Sequence, residues 1–190
     1  MATTDLNHFL SIPWCAKLLN DPSVAFLHTH DKFQDSIRNQ GLFADGVSSL
    51  KDGVRAQLAF YHRQPQQAVD PQAPFPELSV MFDLGNGVSG WPGISHGGFV
   101  SYIFDTVAGR LAMCNIDSPP EETVSPFTMT AKLDVNYRKP VRLDQVLIVT
   151  AAIEKIEGRK MYVGVKLEDE SREVLSDGAA LFLLTNVPRL

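Results

Sequence analysis

Two periodicities divide this chain. From Phe127 to Tyr137, the apolar positions Phe127, Met129, Ala131, Leu133, Val135 and Tyr137 interleave with Thr128, Thr130, Lys132, Asp134, Asn136 and Arg138. A period of two predicts a strand with one face on a core and the other polar, and by that parity Thr130 lies on the polar face. Residues 146–154, 160–168 and 178–185 predict three more strands, and the short turns Glu157-Gly158-Arg159 and Asp169-Glu170-Ser171-Arg172 favour antiparallel hairpins. Upstream, 53–62 and 77–84 read as strands, separated by a loop over 63–76 that carries several Gln and Pro. Residues 89–95 lead into the one long apolar segment. There Phe99, Val100, Ile103, Phe104, Val107 and Leu111 recur on nearly every side, as in a helix wrapped by other structure. It is shorter than the roughly 20 residues of a membrane span and carries Asp105 and Arg110, so a core helix is expected.

The first 50 residues read differently. Leu6, Phe9, Leu10, Trp14 and Leu18 fall at helical spacing, interrupted by Pro13, which either opens a first turn or breaks the helix. Asp21-Pro22-Ser23 marks a boundary, and a second helical run over about 31–39 ends near Gly41. This stretch is too poor in apolar residues to stand alone and is expected to pack over the rest as a lid. The order strand, strand, long helix, four strands gives an α+β architecture, one antiparallel sheet around a single helix. An N-terminal helical extension over 1–50 would precede the main domain over 51–190.

Composition narrows the function classes. At 190 residues with 44% hydrophobic content the chain can bury a sizeable core, and a net charge of −5 argues against general nucleic-acid binding. Anionic small ligands stay open, because a local basic patch works against a negative total. Two cysteines, Cys15 and Cys114, give neither a disulfide framework nor a metal cluster. The pair His28 and His30 reads as a polar edge rather than a ligand set. Neither a signal-like nor a transit-like leader is expected, so the expected location is cytoplasmic, with mitochondrion and peroxisome as alternatives.

The candidate chemistry gathers around the helix. Asp105 shares its face with Ser101, Tyr102, Ala108 and Gly109, mostly small residues that allow a close approach. A carboxylate there is either functional or a structural acid bonded to a hydroxyl or backbone group. Gly97 and Gly98 at the helix start leave orphan N–H groups open to an oxyanion, or serve a tight turn. His96 orients this loop or is a satisfied packing histidine, the latter being favoured on the residue alone. Gly97 and Asp105 lie two turns apart, about 12 Å, so one carbonyl meets both only if two copies of the helix run antiparallel across a two-fold axis.

His96-Gly97-Gly98 with Asp105 downstream, followed by Leu133-Asp134-Val135-Asn136-Tyr137-Arg138-Lys139-Pro140, resembles the hot-dog-fold acyl-CoA thioesterases of the 4-hydroxybenzoyl-CoA and phenylacetate-pathway group. The likeness covers about 78–184. It implies a hot-dog fold and a homodimer or a dimer of dimers. It implies Asp105 as general base or nucleophile, and the Gly97 N–H, with that of Gly98, as oxyanion donors. His96 would shape the turn and Thr130 would position water. Substrate contacts would come from Asn86, Tyr102, Thr106, Arg138, Lys139, Arg159 and Lys160. On the residues alone the basic ones read more readily as solvated turn residues. No cofactor is implied beyond CoA as part of the substrate. The acyl group would lie near Tyr102 and Phe99, capped by Trp14 and Phe33. One departure stands out: the Asn or Gln that family members often place shortly before the His is missing from Gly87-Val88-Ser89-Gly90-Trp91-Pro92, and Asn86 lies further upstream. The function expected is acyl-CoA hydrolysis. A non-catalytic acyl-ligand module is the alternative, and a hot-dog dehydratase or hydratase ranks last.

Overall fold

The computed structural model describes residues 2–27, 50–63, 73–116 and 124–188, with side chains excepted at the first two residues and at 124–127 and 186–188. Its strands are β1 (Val24–Phe26), β2 (Val54–His62), β3 (Glu77–Leu84), β4 (Ser89–Trp91), β5 (Ile94–Ser95), β6 (Val124–Tyr137), β7 (Val146–Glu157), β8 (Lys160–Glu168) and β9 (Val174–Pro188). Its helices are α1 (Ala2–Leu10), α2 (Pro13–Leu19) and α3 (Gly97–Cys114). Seven strands make one antiparallel sheet in the order β1-β2-β3-β7-β8-β9-β6, and β4 with β5 forms a separate small hairpin. The six long strands and α3 fall where the alternation and the apolar segment predict them.

The faces of the sheet follow from parity. Along β3, Leu78, Val80, Phe82 and Leu84 face α3, and along β7 Leu147, Val149 and Ala151 do the same. Met81, Val146 and Ile148 point the other way, into a second cluster with Ala56, Leu58 and Phe60 of β2 and Phe9, Cys15 and Leu19 of the N-terminal helices. The sheet is therefore covered on both faces at this end, which explains near-continuous burial along β3. Fully burying a side chain such as Phe9 stabilises by about 1.5–3 kcal/mol. His8 Nε2, 2.9 Å from Asp83 Oδ2, joins α1 to the outer face, and Arg55 Nη1, 3.5 Å from Asp83 Oδ1, links β2 to β3.

Three expectations are corrected here. The N-terminal stretch is not helical throughout: Pro13 opens α2 at its first turn, but Val24–Phe26 join the sheet as its edge strand. Its helices brace the outer face rather than lidding the helix side, so Trp14 packs in the outer cluster, away from Tyr102. The run at 31–39, Gly41, His28, His30 and Phe33 lie outside the described residues.

The third correction concerns β6. Thr130 pairs with Phe182 while Lys132 pairs with Leu181, so Ala131 is an extra residue, a β-bulge. A bulge reverses parity across itself. Leu133 and Val135 pack on the core, whereas Met129, assigned to the core face by simple alternation, is 54% exposed. Thr130 turns instead toward α3, opposite the buried Phe182.

Candidate active site at the start and middle of the central helix

Helix α3 is not wrapped all round. Phe99, Val100, Ile103, Phe104, Val107, Ala108, Leu111 and Ala112 are buried, whereas Ser101, Tyr102, Asp105 and Gly109 are half-buried and Thr106 is exposed. The second group forms an open stripe along the helix. Asp105 stands on it, and the Thr130 hydroxyl donates to its Oδ1 at 2.7 Å. The bulge at Ala131 makes this contact possible within one chain.

At the helix start, His96 is the N-cap with an extended backbone (φ −65°, ψ 133°), and its Nδ1 accepts from the Gly98 N–H at 2.9 Å. An accepting Nδ1 leaves the ring proton on Nε2. His96 is exposed, so it is a capping group and not a packing histidine. A Cβ on Gly98 would come 3.0 Å from that Nδ1, so the second glycine makes room for the imidazole. This corrects the expectation that both glycine N–H groups are open to a ligand. The Gly98 N–H is taken, and among the described residues only that of Gly97 lacks a partner in this turn.

Two clefts flank the turn. One, of about 420 Å³, is lined by Leu50, Gly87, Val88, Ser89, His96, Gly98, Phe99 and Tyr102. The other, of about 440 Å³, is lined by Trp91, Ile94, Ser95, Gly97, Val100, Tyr137, Arg138, Lys139, Pro140 and Val141. Asn86 lines neither; it is exposed, and its backbone N–H donates to Asp52 Oδ2 at 3.0 Å. The loop segment that replaces the expected amide thus contributes Gly87 to Ser89 to the first cleft.

The two basic pairs are not brought together. Arg138 Nε lies 2.6 Å from Asp177 Oδ2, which holds the Asp177 carboxyl below the usual carboxylate range, and Lys139 is ion-paired with Glu173. The Arg138 N–H bonds Leu175 O, at the start of β9, whereas Lys160 pairs with Leu183 and Leu184 N–H bonds Arg159 O. Eight residues of β9 separate the pairs, about 26 Å, so one phosphate group cannot reach both.

Residue-by-residue reasoning did not single out Tyr137 and Ser101 as a pair. Tyr137 Oη donates to Gly97 O at 3.0 Å and lies 2.6 Å from Ser101 Oγ. The available signal was an aromatic residue placed where a half-polar strand ends. Among the described residues no group of three or more His, Cys, Asp or Glu could hold a metal ion, and no helix is long and apolar enough to cross a membrane.

The family model described as the thioesterase superfamily matches residues 92–176, which span the helix start, α3 and three of the six long strands, β6, β7 and β8. Among curated proteins, the acyl-coenzyme A thioesterase THEM4 of Rattus norvegicus is 29% identical over 136 residues, 71% of this chain and 51% of the relative. That of Xenopus laevis is 27% identical over 149 residues, 77% of this chain and 57% of the relative. The chain spans about half the length of the curated relatives it matches. Among solved structures, a Bacillus halodurans protein with CoA aligns at TM-score 0.50 and 21% identity, over 56% of this chain and 66% of that one. A hypothetical thioesterase protein of Streptococcus pneumoniae with coenzyme A aligns at 0.51 and 16%, over 60% and 85%.

Proposed function

We propose that this chain, a member of the hot-dog thioesterase superfamily by its residues 92–176, hydrolyses an acyl-CoA thioester to the free acid and CoA. The observation that carries the reading is the Asp105 carboxylate, held through Oδ1 by the Thr130 hydroxyl on the open stripe of α3. Its second oxygen is then placed to take a proton from water, or to attack the thioester carbon itself. Attack drives charge onto the carbonyl oxygen. The unpartnered Gly97 N–H, at the positive end of α3, stabilises it there.

Eight positions of one helix separate the N–H from the carboxylate. The reading therefore takes them from two subunits whose α3 helices run antiparallel. The open stripe and the outer edge of β6, the last strand of the sheet among the described residues, offer a second copy a surface and a strand edge. The acyl chain fits the cleft of Val88, Phe99 and Tyr102. The CoA moiety fits the cleft of Trp91, Tyr137 and Arg138, where a phosphate competes with Asp177 for the guanidinium.

A specific observation favours the second reading, a non-catalytic acyl-CoA module: with Gly98 committed to His96, the hole has one backbone donor, and losing one donor costs roughly 10²–10³ in kcat. Free-thiol release from short, medium, long and aromatic acyl-CoAs, measured for wild type and Asp105→Asn, separates the two. Release that disappears in the variant supports hydrolysis. Tight acyl-CoA binding with no release across the panel refutes it in favour of the module.

A further inference from the structure

We propose that Tyr137, with Ser101, is a positioning residue that holds the Gly97–Gly98 peptide and thereby fixes the aim of the Gly97 N–H. The functional half of this inference rests on the thioesterase reading, and the structural half on geometry alone.

Two consecutive glycines open α3. Glycine is the least restrained residue, and a helix start lacks the backbone bonds that restrain the interior, so this turn is the place where α3 would fray. The peptide between the two glycines is nevertheless held at both ends. At its N–H end, His96 Nδ1 accepts from Gly98 at 2.9 Å. At its carbonyl end, Tyr137 Oη lies 3.0 Å and Ser101 Oγ 3.3 Å from Gly97 O, and the two hydroxyls are 2.6 Å apart. The pair has two hydroxyl protons. Whichever hydroxyl donates to the other, the remaining proton lands on the Gly97 carbonyl.

A planar peptide tethered at both its oxygen and its hydrogen cannot rotate about its ends. That restrains ψ of Gly97 and φ of Gly98 and leaves φ of Gly97 as the one remaining dihedral between this peptide and the preceding one, which carries the Gly97 N–H. The His96 carbonyl of that peptide is itself held, accepting from Phe99 at 2.9 Å and Val100 at 3.1 Å.

The anchor is a rigid one. Tyr137 ends β6, and the next two N–H groups, of Arg138 and Lys139, both bond Leu175 O at 2.9 Å. Its ring packs on the bare face of Gly97, with Cε1 3.4 Å from where a Cβ would stand. Tyr137 is 55% exposed, yet its hydroxyl faces inward, onto the turn. An oxyanion donor works only within about 2.7–3.1 Å of the developing charge, and a misplacement of about 1 Å costs up to 10²-fold. A tether on the neighbouring carbonyl therefore acts on rate.

The test compares Tyr137→Phe, Ser101→Ala and the double variant. Each single variant keeps one hydroxyl near Gly97 O and should lose less than about three-fold in kcat; the double should lose about ten-fold with KM within about two-fold of wild type. In the double, the Gly98 amide proton, followed by NMR, should exchange at least about ten-fold faster than in wild type, with the fold otherwise unchanged. A double variant with wild-type kcat, or one whose whole effect is on KM, overturns the proposal. If wild type itself releases no thiol, the thioesterase reading has failed on that result alone. The amide exchange then decides the tether, faster exchange supporting it and unchanged exchange overturning it.

Discussion

Replacing Thr130 by Val removes one hydroxyl and keeps the branched Cβ, so the strand preference of the site barely changes. What is lost is the 2.7 Å bond to Asp105 Oδ1. Hydrogen bonds to charged groups are worth about 1.5–3 kcal/mol, and the low end applies here because Thr130 is exposed and Asp105 half-buried, so water replaces part of the bond. About 1.4 kcal/mol of lost orientation is a factor of about ten in rate. Thr130→Val should therefore lower kcat about ten-fold at unchanged KM, and lower the unfolding free energy from a urea melt by no more than about 1.5 kcal/mol, the low-end worth of the bond itself. The assay is thiol release under saturating acyl-CoA beside a urea melt. Adding Asp105→Asn to Thr130→Val should cost no more than Asp105→Asn alone, because the hydroxyl acts only through the carboxylate. Full kcat in Thr130→Val, or independent additive losses in the pair, would refute the coupling on which the site is built.

Two further outcomes follow from the layout. Phe9→Ala empties a fully buried position of the outer cluster and should cost about 3–5 kcal/mol by urea melt while folded protein keeps its kcat; lost kcat without lost stability would reinstate the N-terminal segment as a lid. Pairing Gly97 of one subunit with Asp105 of the other centres the two helices on position 101, so Ser101→Cys should be joined to its own copy by a thiol crosslinker of about 10 Å reach. Wild type is the control. Cys114 lies thirteen positions from that centre, about 39 Å from its copy, and buried Cys15 has its thiol pushed up to about 12 by desolvation and stays unreactive. Crosslinked wild type, or an unlinked Ser101→Cys, contradicts the antiparallel register.

Long periodic elements were legible in the sequence and short or irregular ones were not. α3 and the six long strands each carry enough repeats for a period to emerge. β1 has three residues and no period to show, and its pairing with β2 comes from tertiary packing over Phe9 and Leu19. The bulge at Ala131 is hidden for another reason. Alanine suits either face, so the apolar–polar alternation runs through it unbroken while the ladder shifts by one, and Thr130 moves to the helix side. Asp105 drew attention in the sequence as a carboxylate on a small-residue face of an apolar helix, but the half-open stripe that lowers the cost of its charge there was not legible. The division of labour between Gly97 and Gly98 was not legible either, since only the fold of the His96 side chain over the turn distinguishes two adjacent glycines.

With one free N–H, the site depends more on placement than on the number of donors. A second oxyanion donor is worth roughly 2.7–4 kcal/mol, and the positive end of a helix supplies up to about 2 kcal/mol in a partly buried setting. The dipole thus offsets part of the missing donor, and only if the charge develops on the helix axis, beside Gly97. In the two-subunit reading no covalent path joins the N–H of one chain to the carboxylate that serves it. Their separation is set by how firmly each α3 is held to its own sheet. The buried face of α3 does most of this, and two contacts reach the helix backbone itself. Tyr137 packs on the bare Gly97 at the start, and Phe182 packs on the bare Gly109 further along, with ring atoms 3.4 Å from where a Cβ would stand in both cases. Each glycine lets a strand residue reach the helix backbone itself, and backbone contact transmits the position of the sheet to the N–H and to Asp105 with less slack than contact through a flexible side chain. A Cβ at either glycine would meet the ring at ordinary van der Waals distance, so alanine fits at both positions, whereas a larger side chain would displace the ring and loosen the contact.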